Sequence, residues 1–126
     1  MKGTGTVLVI EDEPDVRELT VDVLRRLGYS AIAASGGREG IRAYREGKGG
    51  IDVVVPDMIM PLMNVTEVFQ ILKTIDPAVR VVLVSGYSSE GFTGINRLIK
   101  NGAKCFVQKP FTQKMLARAI QDAMRK

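Results

Sequence analysis

Short apolar runs alternate along the chain with segments whose apolar residues recur every three or four positions. Residues 7–10 form the first run, and after Pro14 the apolar positions keep helical spacing as far as Leu27. Proline suits a first helical turn, and Gly28 suits the left-handed position that commonly follows a helix. The pattern predicts a strand followed by a helix that ends just before Gly28.

The same alternation continues to the end of the chain. Further strands are predicted at residues 30–34, 51–55, 80–84 and 104–107, and further helices at residues 35–47, at 66–75 and from 112 onward. The segment 88–100 is expected to be only marginally ordered, because Gly91 and Gly94 are poor helix formers. Strand and helix alternating five times indicate an α/β fold with a parallel sheet and helices on both faces.

Individual residues define the helices and the most buried strand. Ile41 and Tyr44 are the inward candidates of the second helix, which Ser35 is able to cap. We expect Thr66 to cap the third helix and Thr112 to open the last one. The apolar face of that last helix is expected to comprise Met115, Leu116, Ala119, Ile120 and Ala123. Residues 51–55 have no polar alternation, which is typical of a strand buried on both faces.

The composition indicates one soluble globular domain. The chain has 126 residues, of which 45% are hydrophobic and 25% are charged. No apolar run approaches the ~18 residues that a membrane-spanning helix requires. The first residues also lack the apolar stretch and the cleavage pattern of a signal peptide. We therefore expect a cytoplasmic domain that does not bind membranes.

Charge and histidine content narrow the possible chemistry. The formal net charge is +4, but the lysines and arginines are scattered along several segments, so we expect a solvated basic surface and no direct DNA binding. The chain has no histidine, which removes the commonest general base. Any phosphoryl group carried on histidine must therefore come from outside this sequence.

Polar residues follow four of the five predicted strands at the point where each strand ends. Glu11 and Asp12 follow the first strand, and Asp57, Ser85 and Lys109 come at the ends of the third, fourth and fifth. Each residue alone has an ordinary structural explanation, such as a cap, a loop hydroxyl or a solvated charge. Because functional groups gather at the carboxyl ends of the strands in such sheets, the five together indicate one site.

This combination of side chains points to phosphoryl transfer assisted by magnesium. Clustered carboxylates repel one another unless a hard divalent cation binds their oxygens, and Mg²⁺ suits a site with few carboxylates. A carboxylate can then act as nucleophile toward a phosphoryl group, while a lysine and a hydroxyl contact the equatorial oxygens. The predicted product is an aspartyl phosphate.

Four sequence motifs resemble the receiver domain of two-component response regulators. They are VLVIEDEP, DVVVPDMIMP, VVLVSGY and GAKCFVQKPF, and the resemblance runs from Val7 to Met124. It implies one receiver domain over residues 1–126, with a flavodoxin-like, doubly wound parallel sheet of five strands in the order 2-1-3-4-5 and five helices. The resemblance also implies a phosphoacceptor switch that catalyses only its own phosphorylation and dephosphorylation.

The resemblance assigns roles to individual residues around the acids. It makes Asp57 the phosphorylation site and a metal ligand, Asp12 a direct ligand of Mg²⁺ and Glu11 a water-mediated one. The backbone carbonyl of Ile59 is expected to complete the protein's metal contacts.

The resemblance assigns further roles to residues of the fourth and fifth strands. Ser85 is expected to bind the phosphoryl group and shift inward, and Lys109 to pair with that group. Phe106 corresponds to the aromatic switch residue that rotates between exposed and buried positions. The bond between Lys109 and Pro110 resembles the cis peptide of the family.

Partners follow from the same resemblance. The phosphoryl donor is expected to be a sensor histidine kinase or a histidine phosphotransfer protein, and the domain a monomer or weak dimer. The downstream protein target is not identified by the sequence. The domain could be a stand-alone regulator or the receiver of a hybrid sensor kinase.

Three departures from the family pattern leave alternatives open. Pro56 lies in the phosphoacceptor strand, where it removes a backbone donor, and Leu62 and Val65 replace residues that are commonly small. They allow a degenerate receiver that acts as a protein-interaction module with impaired phosphorylation. A phosphatase with an aspartyl-phosphate intermediate is the third possibility, but it usually needs an acid where this chain has Ile59.

Overall fold

Five parallel strands and four helices make up the part of the chain that the computed structural model describes, which is residues 5–47, 49–57, 65–85, 102–103, 105–108 and 112–124. The strands are β1 (Thr6–Ile10), β2 (Ser30–Ala34), β3 (Val53–Pro56), β4 (Val82–Ser85) and β5 (Cys105–Gln108). The helices are α1 (Pro14–Arg26), α2 (Gly37–Glu46), α3 (Val65–Ile75) and α4 (Gln113–Met124). The predicted α/β class with a parallel sheet is confirmed.

The strands pair in two groups, which meet between β3 and β4. One group has the order β2-β1-β3 and the other pairs β4 with β5. Two isolated parallel bridges, Val54 with Val81 and Asp57 with Val84, join the groups. The backbone N–H of Val54 donates to the carbonyl of Arg80 at 2.8 Å, so even-numbered residues of β3 direct their N–H groups toward β4. Pro56 is the next of these and has no N–H, which accounts for the gap between the bridges.

The core lies on both faces of the sheet because side chains alternate along each strand. On β1, Leu8 and Ile10 join the buried cluster beneath α2 and α3. Val7 and Val9 join the second cluster, beneath α1 and α4. β3 is buried on both faces, as predicted, since its valines are at most 3% exposed.

Helix α1 ends as the sequence predicts. Gly28 has a φ of 99° in the left-handed region that glycine adopts readily. The N–H of Gly28 donates to the carbonyl of Arg25, and the N–H of Tyr29 donates to that of Leu24, both at 3.0 Å. These two bonds form a Schellman motif, and Tyr29 and Leu24 both belong to the core that it closes.

The other helix termini match the predictions in part. Thr112 begins α4 as expected, because its hydroxyl accepts a hydrogen bond from the N–H of Met115 at 3.1 Å. The expectation for Ser35 is wrong: Gly36 is the N-cap of α2, and Ser35 binds the carboxylate of Glu39 through its N–H and hydroxyl. Thr66 is also not a cap, since α3 already includes Val65.

Two further expectations concern burial. Ile41 and Tyr44 are buried as predicted, and the Tyr44 hydroxyl donates to Asp76 at 3.0 Å, which joins α2 to the end of α3. Met115 does not belong to the apolar face of α4, because it is 47% exposed, whereas Leu116 beside it is fully buried.

The structure describes two of the three residues near Asp57 that depart from the family pattern. Pro56 lies within β3, one residue beyond the predicted strand end, and Val65 is a buried residue of the first turn of α3. A helical residue has negative φ, so Val65 carries no left-handed strain. Leu62 lies outside the described residues, as does the segment 88–100. None of the described helices is long and apolar enough to cross a membrane.

The contrast within α4 gives a test of the core. Leu116→Ala is expected to lower the free energy of unfolding by about 2–5 kcal/mol, because it removes a fully buried side chain. Met115→Ala is the matched control and is expected to change it by less than about 0.5 kcal/mol. Urea denaturation followed by circular dichroism measures both. Equal losses in the two variants would contradict the placement of α4.

Candidate functional site

Backbone pairing fixes two acidic residues at the same edge of the sheet. Glu11 directly follows β1, and its N–H donates to the carbonyl of Ala34 at the end of β2 at 3.0 Å. Asp57 directly follows β3, and its N–H donates to the carbonyl of Ile10 at the end of β1 at 2.9 Å. Both residues are therefore held by the last hydrogen bonds of the three-stranded group.

Glu11, Asp12 and Asp57 form a compact carboxylate cluster. Each offers one oxygen, and these oxygens lie within 4.8 Å of one another. Glu11 is 3% exposed and Asp57 is 8% exposed, while Asp12 is half-buried. Three acids this close and this poorly solvated repel one another, and a divalent cation relieves that repulsion by binding their oxygens. All-oxygen donors of this kind fit Mg²⁺.

The first turns of α1 position Glu11. The N–H of Glu13 donates to the Glu11 carboxylate at 3.1 Å. The guanidinium of Arg17 donates from Nη1 to the backbone carbonyl of Glu11 at 2.9 Å. Glu11 is therefore held through both its carboxylate and its backbone, and its carboxylate lies at the start of the helix.

Thr20 is a further buried polar residue beside the acids. It is 5% exposed, and its hydroxyl donates to the carbonyl of Val16 at 2.8 Å. With Glu11 and Asp57, it lines a cavity of about 10 Å³. The sequence interpretation missed both Thr20 and Arg17. Arg17 and Thr20 follow Pro14 by three and six residues, which places them on one side of α1, and this helical spacing was the available signal.

The backbone of β4 and β5 extends the edge on which the acids lie. The bridge from Asp57 to Val84 places the end of β4 beside the cluster, and Ser85 is the last residue of that strand. Phe106 lies within β5 and pairs with Leu83. The side chains of Ser85 and Phe106 lie outside the described part of the structure, and so do Ile59, Lys109 and Pro110.

The site therefore combines, within the described residues, a parallel sheet with three converging carboxylates at its carboxyl edge. The family model of the response regulator receiver domain matches residues 7–121. The chain belongs to this family. It is therefore a signalling domain of the two-component type.

Receivers from different protein architectures are similar to this chain. The sensor kinase CckA of Brucella abortus (strain 2308) is 34% identical over 127 residues, which cover 100% of this chain and 13% of CckA. The chemotaxis protein CheY of Thermotoga maritima is 30% identical over 120 residues, which cover 94% of this chain and 97% of CheY. The chain thus spans nearly all of one relative and a small part of the other.

Solved structures share the same fold. A response regulator receiver domain protein from Clostridium thermocellum superposes with a TM-score of 0.91 at 30% identity, covering 96% of this chain and 94% of that one. The response regulator TrrA from Thermotoga maritima, crystallised in complex with Mg²⁺ and BeF, has a TM-score of 0.82 at 25% identity, covering 94% of this chain and 98% of that one. The receiver fold is therefore shared along nearly the whole chain.

The mutual repulsion of the acids can be measured as stability. In EDTA, Asp12→Asn is expected to raise the free energy of unfolding by about 1 kcal/mol, because it removes one of three adjacent negative charges. Asp22→Asn, on the exposed side of α1, is the control and is expected to have an effect below about 0.5 kcal/mol. Urea denaturation at neutral pH and low salt measures both. A destabilised Asp12→Asn protein would show that the cluster is not repulsive.

Proposed function

We propose that this receiver is a phosphoacceptor switch that takes a phosphoryl group onto the carboxylate of Asp57. The observation that carries the proposal is the convergence of Glu11, Asp12 and Asp57 at the carboxyl edge of a receiver sheet. The donor is a phosphohistidine of a sensor histidine kinase or of a histidine phosphotransfer protein. The P–N bond of the donor breaks, a bond forms from phosphorus to a carboxylate oxygen, and the histidine of the donor recovers its proton.

Asp57 is the proposed acceptor because it is the acid of the cluster that borders β4. The N–H of Asp57 donates to the carbonyl of Ile10, and Asp57 forms a parallel β-bridge with Val84. In this proposal the next residue of β4, Ser85, offers its hydroxyl to the equatorial phosphoryl oxygens. Lys109 follows Gln108, the β5 residue that pairs with Ser85, and supplies the positive charge. Phe106 is proposed as the switch residue and Pro110 as the cis-proline that directs Lys109.

Magnesium fits the donor set of the cluster. Asp12 and Asp57 would bind the ion directly, Glu11 through water, and Ile59 through its backbone carbonyl. The hydrogen bond from the N–H of Glu13 holds the Glu11 carboxylate back toward α1, which favours the water-mediated role. When bound, the ion offsets the negative charge that accumulates as a phosphoryl group approaches the acids. The magnesium complex of the similar regulator TrrA supports this assignment.

The remaining features of the proposal follow from membership of the family. Residues 1–126 form one receiver domain, with a continuous strand order 2-1-3-4-5 and five helices. The domain is regulatory and catalyses only its own phosphorylation and dephosphorylation. Its cytoplasmic location, its monomeric or weakly dimeric state and the absence of direct DNA binding stay predictions.

An active phosphoacceptor is preferred to a degenerate interaction module. Pro56 leaves the hydrogen bond from Asp57 to Ile10 in place, because the donor that proline lacks faces β4 instead of β1. Val65 occupies an ordinary helical position. Two of the three departures therefore coexist with an ordered acid cluster.

Phosphorylation is tested with a radiolabelled phosphohistidine donor and with acetyl phosphate, each in the presence of Mg²⁺. The parent is expected to acquire an acid-stable, alkali-labile label, as an acyl phosphate does. Asp57→Asn is expected to lose the label, because the amide cannot act as the nucleophile. Asp22→Asn is the control and is expected to label at the parental rate. Undiminished labelling of Asp57→Asn would refute the assignment.

Metal binding is tested separately from phosphorylation by isothermal titration calorimetry with MgCl₂. Asp12→Asn is expected to weaken binding about tenfold or more, because a direct carboxylate ligand is lost, and Glu11→Gln is expected to weaken it less. Asp22→Asn again serves as the control. If Glu11→Gln proves the more damaging change, the direct and water-mediated roles must be exchanged.

A further inference from the structure

A groove of about 420 Å³ lies between α2 and α3, on the face of the sheet that these two helices cover. Its lining comprises Arg38, Ile41, Arg42, Arg45, Glu46 and Ile71. None of these residues belongs to the acidic cluster, and the proposed phosphorylation uses none of them. The groove is within the size range of protein ligand sites.

Three arginines of α2 line this groove. Arg38, Arg42 and Arg45 are spaced four and three residues apart, so they lie on one side of the helix, and all three are exposed. With a rise of about 1.5 Å per residue, they span about 10 Å along the helix axis. Glu39 keeps its negative charge, but its carboxylate accepts hydrogen bonds from Ser35 at 2.9 and 3.0 Å, and it is not among the described residues that line the groove. The groove therefore presents a row of positive charge.

The groove also has an apolar part and one negative end. Ile41 is 7% exposed, and Ile71 of α3 is half-buried beside it. Apolar lining favours a ligand with apolar side chains over free phosphate. Glu46, next to Arg45, places a negative charge at one end, which repels the uniform charge of a nucleic-acid backbone. A polypeptide can match both signs and the apolar part together.

We propose that this groove docks an acidic amphipathic helix of a partner protein. Carboxylates of that helix face the three arginines, its apolar side chains contact Ile71 and the small exposed part of Ile41, and a basic residue faces Glu46. Spacings of three and four residues on the partner helix match the spacing of the arginines on α2, because both helices have the same rise. The interaction uses no residue of the acidic cluster, so the unphosphorylated chain is expected to bind the helix.

Fluorescence anisotropy tests the proposal with a labelled four-turn peptide helix. The peptide carries glutamates spaced four and three residues apart on one face, leucines between them and a lysine at one end. The full chain is expected to bind it, and a triple variant, Arg38→Gln, Arg42→Gln and Arg45→Gln, is expected to bind about tenfold more weakly. A second peptide, with glutamine in place of glutamate, is expected to bind the parent about as weakly as the first peptide binds the triple variant.

The control variant removes the same net charge elsewhere. Arg26→Gln, Lys114→Gln and Arg118→Gln lie at exposed positions of α1 and α4 and are expected to change the peptide affinity less than about twofold. Labelling by acetyl phosphate is expected to match the parent in both triple variants, which shows that the fold and the acid site are retained.

Several results would overturn the docking proposal while leaving the phosphoacceptor proposal intact. They are absence of peptide binding by the parent, equal weakening in the two triple variants, and undiminished binding of the glutamine peptide. Labelled oligothymidylate is the probe that tests whether the groove binds nucleic acid instead. Tighter binding of that probe than of the peptide, lost in the α2 variant, would assign the groove to nucleic acid.

Discussion

The parallel pairing of β1 with β2 on one side and β3 on the other is the constraint on which the site depends. The last hydrogen bonds of these pairings run from Glu11 to Ala34 and from Asp57 to Ile10. A shift of one residue in either register would turn the side chains of that strand to the opposite face of the sheet. The buried valine and leucine side chains oppose such a shift, since those on β1 and β3 are at most 3% exposed. Core packing thus determines where the acids meet.

Packing of the sheet holds the acidic cluster together although its carboxylates repel one another. The three carboxylates, with oxygens within 4.8 Å of one another, repel when no cation is bound. The same repulsion favours binding of a divalent cation. Contacts from α1, through the N–H of Glu13 and the guanidinium of Arg17, hold Glu11 in position in spite of it. The cluster is therefore preorganised by the backbone and the first helix.

Much of this structure could be predicted from the sequence, because local rules and tertiary packing agree. Apolar runs predicted the strands, and Gly28 and Thr112 marked helix ends correctly. The sequence rules failed where the outcome depends on neighbouring elements. Pro56 is tolerated in β3 because its missing donor faces the interrupted side of the sheet, a fact that requires the register. The exposure of Met115 likewise requires the rotation of α4, and apolar character alone does not give it.

A close approach of α2 to β1 lies between the proposed groove and the acidic cluster. A Cβ atom at Gly40 would collide with the side chain of Ile10, so only glycine lets α2 approach the strand this closely. Ile10 is also the residue whose carbonyl holds the amide of Asp57. Since interiors are close-packed, a displacement of α2 by a ligand in its groove would act on Ile10 directly. Docking could influence Asp57 only if it favoured one of two positions of α2, because a ligand shifts an equilibrium by no more than its difference in affinity for the two states.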